Sequence, residues 1–397
     1  MGLDLNKEQV AVCALNNLHP KRMLIGKMTF HDIASSSATE RFRQRFATLD
    51  PSHFHPFQDL WASSIGLGTY LGDSDEHTDA LYSEAIRTAL SFGCNVLDTA
   101  INYRCQRSER VIGATLESLV SQGLIGRDEI VICTKGGYLA FDGEVPADPG
   151  RYLVETVINA GLAQYDEIIA GCHCLAPSYL DRMLRQSLAN LRVETIDVYY
   201  LHNPEQQLDE IDRETFQQRM EAAFDWLEQR VRDRAIRYYG VATWNGLRAN
   251  PAMKQYLSLE MLVSLARRTG GSEHHFRVIQ LPYNLAMPEA FAFRNQELGG
   301  QPFSVLDAAR ELGLSVVVSA SLLHSRLAQL PASFEARIPG LSTSAQRSIQ
   351  FVRSTPGVTT ALIGMKQRPH VEENLELGRF PLLDLETIQH LFDRTKR

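Results

Sequence analysis

The stretch Asn95–Lys135, NVLDTAINYRCQRSERVIGATLESLVSQGLIGRDEIVICTK, decides the fold. It opens with a short apolar run, Asn95–Thr99, continues with the amphipathic segment Ser108–Gln122 and ends with a second apolar run, Glu129–Lys135. Gly123 follows the amphipathic segment, and glycine is common immediately after a helix. The stretch is therefore typical of a strand–helix–strand unit with parallel strands.

The same alternation extends in both directions along the chain, as amphipathic segments of helical periodicity separate short apolar runs. The predicted strands are Ile65–Tyr70, Asn95–Thr99, Glu129–Lys135, Thr195–His202, Arg237–Thr243, Arg277–Leu281, Leu314–Ser319 and Val358–Gly364. The predicted helices are Thr78–Phe92, Ser108–Gln122, Ser178–Leu191, Arg213–Arg232, Ser258–Arg268, Ser304–Leu312 and Ser344–Ser354. This pattern predicts an α/β fold, a single-domain (β/α)₈ TIM barrel with extensions. The alternation alone also allows an open doubly wound sheet.

The length of 397 residues leaves a surplus over a barrel, which typically uses about 250 residues. We expect residues 1–57 to form an N-terminal extension, residues 58–383 the barrel, and residues 384–397 a C-terminal helix or tail. Residues 137–176 form a long insertion after the third strand. Long loops are often lids or binding loops, so we expect this insertion to lie over the active-site face and shape specificity.

The N-terminal extension carries no usable functional motif. Thr39–Thr48 is helix-like, and Phe54 and Phe57 are expected to pack on the barrel or on a second subunit. His53 and His55 flank Phe54 in a pattern that invites a metal interpretation, but a surface turn is favoured.

Composition excludes several classes of function. With a net charge of −7 and no basic stripe, a nucleic-acid partner is not expected. No apolar run is long enough to span a membrane. Six cysteines in this length fit free thiols, and no signal peptide is apparent, so we expect a cytoplasmic protein. Assembly into a homo-oligomer stays open.

Four polar residues stand at or just past the ends of predicted strands: Asp98, Tyr103, Lys135 and His202. In a TIM barrel the catalytic residues lie at these ends. A buried lysine needs a partner, and Asp98 is the candidate. A tyrosine beside a cation has a lowered pKa, so Tyr103 is a candidate general acid/base, with His202 donating to the same oxygen. Each residue alone has an ordinary structural explanation, but their joint placement favours chemistry.

These residues and others in the same order resemble the aldo-keto reductase superfamily over residues 58–378. The motifs that carry the resemblance are Gly66-Leu67-Gly68-Thr69-Tyr70, Asp98-Thr99-Ala100 followed by Tyr103, Thr134-Lys135-Gly136, Ile196–His202, Gln280, and Gly364-Met365-Lys366 leading to His370–Asn374. The resemblance implies NADP(H) binding and hydride transfer between the nicotinamide and a carbonyl carbon. It also implies that Tyr103 is the general acid/base and that Lys135 lowers its pKa. Asp98 would pair with Lys135, and His202 would orient the carbonyl.

The resemblance further implies which residues contact the cofactor. The residues expected to bind NADP(H) are Gly68, Thr69, Tyr70, Thr243, Gln280, Ser319, Leu322, Gly364, Met365, Lys366, His370, Glu373 and Asn374. A 2′-phosphate needs positive partners, and the cluster of Lys366, Arg368 and His370 favours NADP over NAD. A solvated basic turn is the alternative for that cluster.

Two positions depart from the family pattern. Ala242-Thr243 replace the usual Ser-Asn after the fifth strand, and Ser319 stands where a tyrosine normally stacks on the nicotinamide. We therefore expect an NADP(H)-dependent oxidoreductase for a small carbonyl or alcohol substrate. The departures leave open a catalytically weak, nicotinamide-binding regulatory or sensor subunit of the same fold.

The cluster Cys172-His173-Cys174 in the insertion is the remaining unassigned motif. Its spacing is too tight for a structural zinc site, so no metal is expected. Packing of small buried side chains is the favoured interpretation, and substrate contact is the second. An unrelated barrel that uses a metal held by His173 would require stoichiometric metal.

Overall fold

The structure is a computed structural model that describes residue 30 and residues 32–391. Its centre is a closed barrel of parallel strands. The strands are β1 Ile65–Gly68, β2 Val96–Asp98, β3 Val131–Gly136, β4 Ile196–His202, β5 Ile236–Ala242, β6 Phe276–Pro282, β7 Ser315–Ser319 and β8 Thr360–Gly364. Because β8 pairs with β1, the sheet closes on itself. The predicted (β/α)₈ TIM barrel is confirmed, and the open sheet is excluded.

A helix follows each barrel strand. These helices are α1 Glu76–Ser91, α2 Arg107–Ser121, α3 Pro177–Leu191, α4 Arg213–Arg232, α5 Leu259–Gly270, α6 Val305–Glu311, α7 Ser344–Ser354 and α8 Arg368–Leu375. Local capping sets several boundaries: Asp75 accepts from the Thr78 amide at the start of α1, and Asp212 accepts from the Thr215 amide at the start of α4. The predicted helices agree with these bounds to within a few residues.

The strand register brings the ends of several strands to one level. The pairs at this level are Gly364–Gly68, Gly68–Asp98, His202–Ala242 and Ala242–Gln280. Close approach of β5 and β6 requires glycine at position 240, because a Cβ there would lie 1.8 Å from the Val278 carbonyl oxygen. The carboxyl-terminal ends of the strands therefore surround a common space.

A β-hairpin, Phe54–Phe57 with Leu60–Ser63, precedes the barrel, and a helix, Ser36–Arg45, precedes the hairpin. Phe54 and Phe57 are buried, so the expectation that they pack on the barrel is confirmed. Phe57 and Leu60 belong to the apolar cluster inside the barrel, which also contains residues near the beginnings of the strands. The hairpin thus closes the amino-terminal end of the barrel.

The predicted surface turn at His53 is wrong. His53 is fully buried, and its Nε2 donates to the Gly93 carbonyl oxygen at 3.2 Å. Ser64 Oγ is hydrogen-bonded to the other ring nitrogen, Nδ1, at 3.3 Å. This histidine is part of the packing beneath the barrel.

The insertion 137–176 contains a helix, Pro149–Leu153, that continues as a π-helical turn, Val154–Ile158. It ends in a short hairpin, Ile168–Ile169 with His173–Cys174, before α3 begins. Its apolar side chains form a separate small cluster with Tyr179 of α3. The apolar side chains of the insertion therefore pack against α3. That the insertion covers the active-site face and shapes specificity stays a prediction.

The remaining helices and strands lie in the loops after β6 and β7 and near the C-terminus. They are a helix Glu289–Ala292, a hairpin Gln296–Leu298 with Gln301–Phe303, a helix Ala332–Glu335 and a helix Leu385–His390. Within residues 32–391, no helix is long and apolar enough to cross a membrane. The cysteines of that range are free thiols, and Cys13 lies outside the described residues.

Candidate active site

A cavity of about 500 Å³ opens at the carboxyl-terminal ends of the strands, a volume within the usual range for small-molecule sites. The expected site residues that line it are Gly68, Thr69, Tyr70, Asp98, Tyr103, His202, Thr243, Gln280, Ser319, Leu322 and Gly364. Residues that the sequence did not single out also line it: Leu71, Asn102, Tyr138, Asn203, Trp244, Ala320, Ser321, Leu323, His324, Ser325 and Leu362. The register of the strands accounts for this convergence.

Lys135 lies behind the cavity wall and is only 1% exposed. Its Nζ donates to Asp98 Oδ1 at 2.5 Å and to the Thr99 carbonyl oxygen at 2.8 Å. Nζ also lies 5.0 Å from the centroid of the Tyr103 ring. Burial acts to lower the pKa of Lys135, but the Asp98 carboxylate, together with Tyr103 and Cys133, outweighs burial and raises that pKa. The ammonium is therefore held charged beside Tyr103.

The pKa of Tyr103 differs from the sequence expectation. Burial raises it above the usual value, and the attraction of Lys135 for the phenolate offsets only part of this effect. The expected lowering is therefore wrong for the structure as it stands, because the cost of burying the phenolate exceeds the stabilisation by Lys135. Tyr103 keeps its proton at neutral pH, which is the form required of a general acid.

Asp98 has a second partner that sequence reasoning missed. Gln280 Nε2 donates to Asp98 Oδ2 at 2.8 Å, so both carboxylate oxygens have a donor. Burial raises the pKa of Asp98, and Lys135 and Gln280 act in the opposite direction. The side-chain amide of Gln280 thus binds the carboxylate of the Asp98–Lys135 ion pair, and Gln280 also lines the cavity.

His202 presents its imidazole between two tyrosine rings. The ring centroids are 5.8 Å from Tyr103 and 4.9 Å from Tyr138. Burial lowers the pKa of His202 well below its usual value, with Lys135 adding to the effect. Its Nδ1 is buried and has no hydrogen-bond partner among the described residues. A neutral imidazole with its proton on Nε2 avoids a buried donor without an acceptor and can donate to a substrate oxygen.

Unusual backbone geometry follows Tyr103. Arg104, Cys105 and Gln106 have φ values of 49°, 53° and 70°, in the left-handed region that L-residues seldom adopt. The Arg104 side chain anchors this turn, with Nε donating to the Asp73 carbonyl oxygen at 2.7 Å. Such strain persists only where the surroundings enforce it and clusters at functional sites.

The loop after β7 has similar geometry. Ala320, Leu323, His324 and Ser325 all have positive φ values, between 45° and 66°, and all line the cavity. The ring of His324 lies 6.2 Å from that of Tyr70. Only tertiary packing can impose this conformation on such residues, so it cannot be predicted from the local sequence.

Glu205 is a buried residue next to the cavity wall that the sequence analysis did not single out. It is 3% exposed, and its Oε1 accepts from the backbone amides of Trp244, Asn245 and Gly246 at 2.8, 2.9 and 3.1 Å. This carboxylate holds the turn that begins next to Thr243. The dipeptide Pro204-Glu205, directly after His202 and Asn203, was the available signal.

The residues fit a nicotinamide at the inner end of the cavity. Thr243 Oγ1 is buried and has no partner within the described part of the chain, so it is available to a polar group of a ligand. Thr69 is held rigidly, since its Oγ1 donates to the Asp98 carbonyl oxygen and its own carbonyl accepts from Ser108 Oγ. Ala242 offers no hydrogen-bonding side chain, as the sequence indicated.

The expected residues beyond Gly364 do not line the cavity. Met365 and Asn374 are buried, with Asn374 Nδ2 3.7 Å from Met365 Sδ. Glu373 accepts from Thr343 Oγ1 at 2.6 Å and so faces α7. Lys366 is partly exposed, His370 is exposed, and both lie near the start of α8. Glu373 is also partly exposed, so Lys366 and His370 are the accessible basic side chains of this group.

A metal centre has no support in residues 32–391, where no three His, Cys, Asp or Glu side chains are grouped to hold an ion. Both ring nitrogens of His173 are hydrogen-bonded to protein atoms. Cys174 is buried and Cys172 is half-buried, and neither lines the cavity. The packing interpretation of Cys172-His173-Cys174 is thus favoured over ligation or substrate contact.

Fold and site together define a TIM-barrel protein with a cavity at the carboxyl-terminal ends of its strands, lined by Tyr103 and His202. Residues 64–290 match the aldo/keto reductase family, and the chain belongs to this family. It is 25% identical over 346 residues to the uncharacterized oxidoreductase YqkF of Bacillus subtilis (strain 168), covering 85% of this chain and 94% of that protein.

Two solved structures show the same fold. An aldo/keto reductase from Klebsiella pneumoniae, in complex with NADP and acetate, matches with a TM-score of 0.56 and 20% identity, over 84% of this chain and 92% of its own. The aldo-keto reductase AKR11C1 from Bacillus halodurans, in its holo form, matches with a TM-score of 0.58 and 19% identity, over 85% and 94%.

Proposed function

We propose that the protein is an NADP(H)-dependent reductase of aldehydes or ketones, or catalyses the reverse oxidation of alcohols. The observation that carries the proposal is the convergence of Tyr103, His202 and the buried Lys135–Asp98 pair around one cavity. This arrangement suits an oxygen that gains negative charge during the reaction. A bound nicotinamide cofactor would supply or accept the hydride.

The chain's own residues have distinct roles in this proposal. Tyr103 gives its phenolic proton to the carbonyl oxygen, and Lys135 stabilises the phenolate that results. His202, neutral because burial lowers its pKa, donates a hydrogen bond to the same oxygen. Asp98 keeps Lys135 charged and fixed in place.

The cofactor would occupy the groove between the ends of the strands. Gly68, Thr69, Tyr70 and Thr243 would surround the nicotinamide half, with Ser319, Leu322 and Gly364 along the rest of the cavity. Complexes of family members with NADP support this choice of cofactor. Lys366 and the exposed ring of His370 are the side chains that would contact a 2′-phosphate.

The test measures NADPH consumption with a broad panel of aldehydes and ketones. Tyr103→Phe should lose turnover by about 10²-fold or more, the usual range for a general acid, while still binding NADPH by fluorescence. Tyr256→Phe is the matched control, because it also removes one hydroxyl, which donates to the Asn295 carbonyl oxygen away from the cavity. Equal activity of Tyr103→Phe and wild type would refute the role.

A regulatory or sensor subunit is the second candidate. The absence of a hydrogen-bonding side chain at Ala242 and of a stacking ring at Ser319 favours it. Wild-type protein that binds NADPH tightly yet reduces no member of the panel would support this candidate over the reductase.

A further inference from the structure

The hairpin that carries His173 lies against the end of β4, next to His202. His173 is fully buried, and its Nε2 is 2.7 Å from the His202 carbonyl oxygen. Its Nδ1 is 2.8 Å from Gln207 Nε2. A carbonyl oxygen only accepts and an amide NH₂ only donates, so these contacts fix the neutral tautomer with the proton on Nε2. Burial lowers the pKa of His173 to about 4, which preserves this tautomer at neutral pH.

The bond from His173 secures the peptide group that follows His202. Its carbonyl oxygen accepts from His173, and its amide, on Asn203, donates to the Ala242 carbonyl oxygen at 2.6 Å. Asn203 itself has a left-handed conformation, with φ 47°, where the chain leaves the barrel. Both polar atoms of this peptide group are therefore held at the point where His202 joins the loop.

Tyr138 completes the support. Its ring centroid lies 5.0 Å from that of His173 and 4.9 Å from that of His202, nearly perpendicular to both. Its hydroxyl accepts from Asn203 Nδ2 at 3.0 Å and donates to Gln206 Oε1 at 2.5 Å. Because His202 Nδ1 has no partner among the described residues, no hydrogen bond from that atom fixes the ring. Ring contacts and the backbone must set its direction.

We propose that His173 is a positioning residue for His202. It holds the His202 carbonyl and the Tyr138 ring so that the His202 imidazole faces the reacting oxygen beside Tyr103. Gln207 supports His173 in turn, and Arg219 Nη1 holds Gln207 Oε1 at 2.7 Å. The effect on rate rests on the proposed reductase function, whereas the effect on the His202 ring does not.

The first experiment compares His173→Leu with His173→Gln. His173→Leu removes the donor to His202 and should lower kcat by about tenfold, the scale typical of residues that orient a functional histidine. KM for NADPH should stay unchanged, since His173 does not line the cavity. His173→Gln supplies a side-chain amide donor again and should restore most of kcat.

His53→Leu is the matched control. His53 is as buried as His173 and also donates to a carbonyl oxygen, but it lies near the amino-terminal end of the barrel. It should lower the melting temperature without changing kcat below that temperature. If His173→Leu does no more than His53→Leu, His173 has only a structural role and the proposal is wrong.

The second experiment follows the His202 imidazole by ¹⁵N NMR and does not depend on turnover. We expect the His202 ring signals to shift or broaden in His173→Leu and to return in His173→Gln. Gln207→Leu, which leaves the His202 contact in place, should give a smaller change and replaces His173→Leu if that variant fails to fold. If wild type reduces no carbonyl compound, the reductase proposal fails, and the NMR result alone decides the positioning role. Unchanged His202 signals in all three variants would overturn it.

Discussion

Gln280 Nε2 donates a hydrogen bond of 2.8 Å to Asp98 Oδ2, while Lys135 holds the other oxygen of the same carboxylate. Gln280 comes from β6 and Asp98 from β2, on different sides of the barrel interior. Asp98 is 3% exposed and Gln280 4% exposed, so water cannot readily replace either partner. Gln280 is therefore part of the support for the charged Lys135 as well as a wall of the cavity.

Gln280→Leu should destabilise the protein by about 1–3 kcal/mol, because it leaves one oxygen of a buried carboxylate without a donor. Urea unfolding of Gln280→Leu, Asp98→Asn and the double variant forms a cycle that measures their coupling. The loss caused by Gln280→Leu should be smaller when Asp98→Asn is already present, since Gln280 then faces a neutral amide instead of a buried carboxylate. Additive losses would show that the hydrogen bond contributes nothing specific.

The raised pKa of Tyr103 predicts different pH profiles for the two reaction directions. Carbonyl reduction needs the protonated phenol, so its kcat/KM should not change with pH between about 6.5 and about 10. These limits are the ordinary pKa values of histidine and tyrosine. His202 adds no step near its ordinary pKa, because burial keeps it neutral at lower pH. Alcohol oxidation needs the phenolate, so kcat/KM should rise with pH towards and beyond about 10.

Lys135→Met provides the check on this profile. Lys135 is the cation that favours the phenolate, so its removal should move the rise in oxidation to still higher pH. Circular dichroism must show an intact fold, because the change leaves Asp98 without its charged partner. An oxidation rate that already reaches its plateau near neutral pH in wild type would mean that Lys135 outweighs burial at Tyr103.

Glu205 should control the turn beside Thr243. Glu205→Leu removes the acceptor of three backbone amides and should cost about 1–3 kcal/mol of unfolding free energy. The loosened turn should also raise KM for NADPH more than it lowers kcat. Glu205→Gln keeps an acceptor oxygen and is the matched control, so its KM should stay close to wild type. A normal KM in Glu205→Leu would separate this turn from cofactor binding.

The barrel could be predicted because its strands are apolar on both faces and its helices are amphipathic, and both patterns are local. Asp98, Lys135 and His202 could be placed at one face for the same reason, since they stand where apolar runs end. The bond between Gln280 and Asp98 could not be predicted, because it joins positions 182 residues apart and depends on how the sheet closes. The conformation of Arg104–Gln106 is likewise imposed by tertiary contacts.

Electrostatics at Tyr103 shows a second limit. The sequence predicts that Lys135 lies near the ring, as the structure shows, but the sign of the pKa shift depends on how deeply the phenol is buried. The sequence shows which charged residues are present, but it does not show how deeply each side chain is buried. The buried position of His53 was missed for the same reason, since a short polar segment resembles a surface turn until the barrel floor is known.

Cofactor selectivity gives the last prediction. Lys366 has no carboxylate partner among the described residues, whereas Arg368 pairs with Glu372 and Glu84. A charged hydrogen bond contributes about 1.5–3 kcal/mol, so Lys366→Ala should weaken NADPH binding by about ten- to a hundredfold. NADH lacks the 2′-phosphate, and its affinity should change little.

Arg368→Ala is the matched control for this prediction. Its guanidinium already faces carboxylates, so removing it should affect NADPH binding less than Lys366→Ala does. Isothermal titration with NADPH and NADH at two salt concentrations measures both affinities, and the Lys366 contribution should fall as salt rises. Equal loss of NADPH and NADH affinity in Lys366→Ala would show that Lys366 stabilises the adjoining loop. In that case Arg368 and His370 would be the remaining candidates in this cluster for the 2′-phosphate.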